Sequence, residues 1–152
     1  MPVEKCSTKQ FLDQKGRVVF HIGPDAQVLE ALEIMADKDI GVLVVLDDRN
    51  RLVGMFSERD YARKIILKKK TSRSTPVSEV MTSKVVTVTE EHSLDDCLAI
   101  MTKHNIRHLP VTHGGTVVGV LGIGELVRQK LREKDHEIET LEQYISGGVA
   151  YG

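Results

Sequence analysis

The residues best equipped for chemistry are Ser57-Glu58-Arg59-Asp60 and Arg107-His108. In the first group a hydroxyl precedes a carboxylate by three positions, just after an apolar run. That spacing is a capping-box variant, Ser at the N-cap and an acid at N3, found at many helix starts that bind nothing. In the second group a guanidinium can grip an oxyanion bidentately, and an imidazole can add a donor or a charge. Together these groups suit binding better than bond-breaking.

Catalytic patterns are missing from the sequence. His21, His92, His104, His108, His113 and His136 are scattered over helix, strand and turn, and Cys6 and Cys97 give neither a metal-ligand pattern nor a disulfide framework. There is no Gly-x-Ser-x-Gly elbow or Gly-x-x-x-x-Gly-Lys loop, and Gly119-x-x-Gly122-x-Gly124 departs from the dinucleotide fingerprint. We therefore expect no enzyme and no metal.

The segments on either side of these residues come in two copies. Shifting the 152-residue chain by 66 positions pairs Val19 with Val85, Leu32 with Leu98, Met35 with Met101, Ile40 with Ile106, Leu43 with Leu109 and Val45 with Val111. One deletion later, Val53-Gly54 pairs with Val118-Gly119. Two copies are too few for a solenoid, so a pseudo-symmetric pair with a shared core is expected.

Val28, Ala31, Leu32, Met35 and Ala36 have helical spacing, as do Leu94, Cys97, Leu98 and Met101. Cys97 is expected to be buried. Val42–Leu46 and Leu52–Phe56 read as a hairpin about the turn 47–50, matched by Leu109–Thr112 and Val117–Leu121 about 113–115. Pro110 points to an edge strand, because proline cannot donate to a ladder. Closing helices run from Glu58 to about Leu67 and from Ile123 to about Arg132.

The expected class is α/β (α+β), two β-α-β-β-α repeats packed as one disk. We divide the chain into an N-terminal helix (1–16), repeat one (17–67), an exposed linker (68–79), repeat two (80–132) and a C-terminal helix and tail (133–152). Ile138, Leu141 and Ile145 share one face of that last segment, which suggests packing or a homodimer.

Composition narrows the partners. Lys+Arg 21 against Asp+Glu 22 gives no general affinity for polyanions, so nucleic acid is not expected despite Lys68-Lys69-Lys70. No stretch reaches the ~18 apolar residues of a membrane span, and the first ten residues lack the core of a signal peptide. A cytoplasmic protein is expected.

In this order and twice over, several segments resemble the CBS domain, named after cystathionine β-synthase. They are Gly41–Val45 and Ile106–Val111, Val53–Asp60 and Val118–Glu125, and Val80-Met81-Thr82. The resemblance covers about Arg17 to Arg132. It implies a non-catalytic regulatory module with two clefts between the repeats, binding an adenine nucleotide and reporting to an unknown target protein. AMP is the expected ligand, with ADP, ATP or NAD(H) as alternatives and a ligand-free structural adaptor as the competing reading.

The principal cleft implied is built from Met55, Ser57, Glu58, Arg59, Asp60 and Thr87, facing Arg107, His108, Leu109 and Pro110. There Asp60 would accept both ribose hydroxyls, Ser57 and the helix start would receive the phosphate with Arg107, and adenine would lie between Met55 and Leu109. A weaker second cleft would comprise His21, Gly41, Val42, Leu43, Gly122 and Glu125. It lacks the hydroxyl and the Arg-His pair.

Overall fold

The computed structural model describes residues 6–148; residues 1–5 and the tail 149–152 lie outside the described residues. Each repeat builds a three-stranded mixed sheet. In the first, β1 (His21–Ile22) runs parallel to β2 (Val42–Leu46), which pairs antiparallel with β3 (Leu52–Ser57). In the second, β4 (Val88–Thr89), β5 (His108–His113) and β6 (Thr116–Gly122) repeat that order. Irregularities in register fall at equivalent steps, Val45/Leu46 and Val111/Thr112.

The helices obey the apolar period. Helix α2 (Val28–Lys38) buries Val28, Ala31 and Met35, and α5 (Leu94–His104) buries Leu94, Cys97 and Met101. Both end on a residue in the left-handed region, Asp39 at φ 53° and Asn105 at φ 52°, types that tolerate it. Ser93 and Asp96 form a full capping box on α5, whereas Gln27 caps α2 with no side-chain hydrogen bond.

Pro110 corrects an expectation. Its strand β5 is the middle of the sheet, not the edge. At the equivalent position Val44 donates its N–H to the Phe20 carbonyl at 3.2 Å. Pro110 has no N–H to give, and the parallel pairing of β4 starts one residue later, at Val88 and Val111. The proline is accommodated by a one-residue shift of its neighbour, since β4 keeps the two-residue length of β1.

After β3 the chain forms α3 (Glu58–Asp60) and then a π-helical stretch, Tyr61–Ile66, rather than one regular helix. Its partner in repeat two, α6 (Ile123–Gly148), is a single helix of 26 residues that passes through the expected boundary at 132/133. The segment between repeats is exposed through Lys68–Lys70 but not throughout. Thr75 is buried and its carbonyl accepts from Val28 N–H at 2.9 Å, and α4 (Val77–Val80) buries both its valines.

The covering helices are exchanged between repeats. α1 (Thr8–Lys15), which precedes repeat one, packs Phe11 and Leu12 into the core of repeat two with Val88, Cys97, Leu109 and Leu121. α4, which precedes repeat two, packs Val77 and Val80 into the core of repeat one with Val28, Leu43 and Phe56. Two glycines make room for the crossing segments. A Cβ at Gly119 would meet Leu12 Cδ2 at 2.6 Å, and one at Gly54 would meet Met81 Sδ at 2.5 Å and the Thr82 carbonyl oxygen at 3.0 Å.

Candidate functional site

Two clefts lie between the repeats, and they are copies of each other in construction. The first, of about 250 Å³, is lined from repeat one by Gly41, Val42, Met55 and Ser57–Asp60, and from the other side by Thr82, Lys84–Val86 and Ile106–His108. The second, of about 490 Å³, is lined by Lys15, Gly16, Val18, Phe20 and Asp39–Val42, facing Val120, Gly122, Glu125 and His108. Val18, Phe20, Ile40, Gly41 and Val42 stand 66 positions before Lys84, Val86, Ile106, Arg107 and His108. Val120, Gly122 and Glu125 likewise correspond to Met55, Ser57 and Asp60.

Local structure explains why Ser57 and Asp60 face the first cleft. Ser57 ends β3 in extended conformation and caps α3. Its Oγ accepts the Asp60 N–H at 3.2 Å, and Asp60 Oδ2 in turn accepts the Ser57 N–H at 3.0 Å and the Ser57 hydroxyl at 3.1 Å. Asp60 Oδ1 accepts the Thr82 hydroxyl at 3.1 Å and lies 3.0 Å from Lys64 Nζ. Lys64 also donates to the Val80 carbonyl at 2.9 Å, tying the π-helical stretch to the end of α4.

These bonds revise two expectations. Both carboxylate oxygens of Asp60 already have partners, so a ligand hydroxyl reaches them only by displacing Ser57 or Thr82. The helix start is also largely spent: the N–H groups of Ser57 and Asp60 serve the cap, and that of Glu58 donates to the Gly41 carbonyl at 3.1 Å. Anion-holding capacity lies instead with side chains. The guanidinium of Arg107 and the ammonium of Lys84 make no hydrogen bond or ion pair with the described residues, and Arg59 donates only to the Asn105 carbonyl, at 3.3 Å.

Of the residues expected in the first cleft, Met55, Ser57, Glu58, Arg59, Asp60, Arg107 and His108 line it, and Thr87, Leu109 and Pro110 do not. Side chains alternate along a strand, so with His108 in the cleft Leu109 turns into the core, fully buried. Pro110 is buried beside it, and Thr87 is exposed upstream of β4. The apolar walls are instead Met55 and Val42 with Val85, Val86 and Ile106.

In the second cleft Gly41, Val42, Gly122 and Glu125 are in place; Leu43 is core and His21 is exposed on β1 outside the lining. The crossing segments were overlooked in both clefts. Thr82 and Lys84 follow α4, and Lys15 and Gly16 end α1. The 66-residue offset that links Phe20 to Val86 also makes Lys84 the counterpart of Val18, each lining its own cleft, and is the signal that could find it.

Charge separates the clefts as well as size. The first sets Arg59, Lys84 and Arg107 against Glu58 and Asp60; the second sets Lys15 against Asp39 and Glu125. Lys15 is committed, with its Nζ 2.8 Å from Glu125 Oε2 and donating to the Val120 carbonyl at 2.6 Å. An anion is therefore favoured in the smaller cleft. His108 lines both, and burial holds its imidazole below the ordinary histidine pKa, opposed by Glu125 and reinforced by Lys15 and Arg107. Among the described residues no His, Cys, Asp or Glu cluster is arranged to hold a metal ion, and no helix is long and apolar enough to cross a membrane.

Comparison with known proteins matches residues 16–67 and 77–132 to the family described as "CBS domain". A CBS domain-containing mitochondrial protein of Arabidopsis thaliana, CBSX3, is 38% identical over 128 residues, which is 82% of this chain and 62% of that protein. The crystal structure of a CBS domain, NE2398, superposes with a TM-score of 0.79 at 41% identity, covering 83% of this chain and 98% of the other. The CBS domain pair of protein MJ0100, in complex with 5′-methylthioadenosine and S-adenosyl-L-methionine, superposes with a TM-score of 0.73 at 25% identity, covering 82% and 95%.

Proposed function

This chain belongs to the CBS domain family, whose paired domains form ligand-binding regulatory modules, and we propose that its first cleft binds an adenine nucleotide, AMP foremost, and reports it to a partner protein. The observation that carries the reading is the guanidinium of Arg107, without a partner among the described residues, in a cleft that Lys84 and Arg59 also line and that Met55, Val42, Val85, Val86 and Ile106 wall. Free cations beside an apolar slot suit a flat base joined to a phosphate.

The ligands of MJ0100 share an adenosyl group, which supports the choice of adenine. They carry no phosphate, and only S-adenosylmethionine has a sulfonium, so the excess of cations in this cleft, Arg59, Lys84 and Arg107 against Glu58 and Asp60, supports AMP over them. ADP or ATP would use Arg59 and Lys84 for further phosphates. The competing reading, an adaptor that binds nothing, draws on the internal saturation of Ser57 and Asp60.

Thermal unfolding with AMP, adenosine and S-adenosylmethionine separates these readings. AMP at about 100 times its dissociation constant adds about 2.7 kcal/mol, or about 5–10 °C for a chain of this size. A shift from AMP that exceeds the other two supports the proposal. No shift from any adenine compound at millimolar concentration leaves the adaptor.

A further inference from the structure

We propose that His108 couples the two clefts: it takes up a proton from water when AMP enters the first, so that AMP is held more tightly as pH falls and the second cleft becomes less negative. The inference rests on the reading of the first cleft as an AMP site. Gly41, Val42 and His108 line both clefts. Val42 and His108 are counterparts at the 66-residue offset, so the wall that the clefts share is apolar in one repeat and titratable in the other. Neither Gly41 nor Val42 can ionise. His108 is therefore the member of that wall able to carry a change of charge from one cleft to the other.

The ring has charged neighbours on both sides. Towards the second cleft, β5 pairs His108 with Gly122 of β6, and a Cβ at Gly122 would meet Glu125 Oε1 at 3.0 Å and His108 Cδ2 at 3.8 Å. Acid and imidazole thus flank one glycine, and Lys15 Nζ lies 2.8 Å from the same carboxylate. Towards the first cleft stand Arg107, adjacent in the chain, and Glu58, whose carboxyl carbon would lie 3.6 Å from a Cβ at Gly41. Burial is the largest influence and disfavours the charged ring; Glu125 and Glu58 favour it, and Lys15 and Arg107 oppose it. Without ligand the imidazole is neutral at neutral pH.

AMP changes this balance. Its phosphate, with a second pKa of about 6, carries nearly two negative charges at neutral pH. Held by Arg107, it offsets that cation and draws a proton onto the neighbouring ring. The ring pKa is then higher in the complex than in the free protein, so between the two values a proton is gained on binding. Within that window affinity climbs by up to about tenfold per pH unit as pH falls, and it is level on either side. The imidazolium formed competes with Lys15 for Glu125, and the second cleft, in which Lys15 faces Asp39 and Glu125, loses its excess of negative charge.

Titration calorimetry with AMP from about pH 8 to about pH 6.5, where AMP itself stays mostly dianionic, counts the protons when repeated in buffers of different ionisation enthalpy. The parent should take up an increasing fraction of one proton as pH falls, and His108→Gln should take up none and bind with nearly level affinity. Glu125→Gln, outside the lining of the first cleft, should displace the rise to lower pH. Proton NMR of the His108 ring, assigned by its loss in His108→Gln, should show its titration moving to higher pH when AMP is added. AMP binding without proton uptake, an unmoved ring titration, or a His108→Gln protein with the parent's pH profile overturns the coupling and leaves the AMP site standing. A Glu125→Gln protein with the parent's profile overturns the link to the second cleft. No AMP binding at any pH overturns the coupling and the AMP site together.

Discussion

The Thr82 hydroxyl donates to Asp60 Oδ1 across 3.1 Å, joining the segment after α4 to the cap of α3. Lys15 does the same for Glu125 in the other cleft. Each acid is thus held by the crossing segment that precedes a repeat. Thr82→Val should cost about 1 kcal/mol of stability and keep the stabilisation gained from AMP. Asp60→Ala should cost more and lose that gain. Glu125→Ala removes a part-exposed ion pair worth about 0–1 kcal/mol and should keep it. If Glu125→Ala abolishes the AMP increment and Asp60→Ala preserves it, the principal cleft has been misassigned.

Among the described residues the guanidinium of Arg107 has no hydrogen bond or ion pair to lose. Arg107→Ala should therefore leave the unliganded melting temperature nearly unchanged. A lost charge-assisted hydrogen bond of about 1.5–3 kcal/mol would weaken AMP binding by about 10- to 150-fold. Adenosine, lacking the phosphate, should bind the variant almost as well as the parent. Isothermal titration with both ligands checks this, and equal losses would mean that the residue acts through the fold.

His108 gives a signed pH dependence. Burial disfavours its charged form, so the folded pKa lies below the unfolded value of about 6.5. As pH falls past about 6.5 the unfolded chain takes up a proton first, and stability is lost until the folded pKa is passed; above that window nothing is lost. Urea unfolding between about pH 7.5 and about pH 5 should show a steeper decline for the parent than for His108→Gln. Identical slopes would refute the assignment.

Gly54 faces backbone, which cannot move aside cheaply. A Cβ there would sit 3.0 Å from the Thr82 carbonyl oxygen, which accepts the Met55 N–H at 2.9 Å. Gly54→Ala should cost about 1–3 kcal/mol and weaken AMP binding, because Thr82 and Lys84 are displaced together. Calorimetric unfolding measures the first effect, and a cost near zero would show that the crossing strand is loosely held.

Much of this architecture is legible in the residues. The positions 28, 31 and 35 and their copies at 94, 97 and 101 announce helices, and the internal repeat implies paired clefts. What escapes is set by geometry between distant segments. Leu43 and Leu109 sit in near-continuous apolar runs, where the inward and outward faces look alike in composition. Lys15 and Thr82 enter the clefts because their helices cross to the opposite repeat, which no local pattern records. The capping box Ser57–Asp60 is correctly read as a cap, yet its saturation depends on Thr82 and Lys64, contacts that only the folded chain reveals.

The exchanged helices also dictate an order of assembly during synthesis. Repeat one is closed by α4, which leaves the ribosome soon after β3, so that half can seal as it emerges. α1 is made first and used last. Phe11 and Leu12 stay in water until β6 and α5 exist, and the Cys6 N–H meets its acceptor, Glu133 Oε1 at 3.0 Å, only across 127 positions of chain. Loss of the first helix would therefore spare the half of the protein adjoining it in sequence and unseat the half made last.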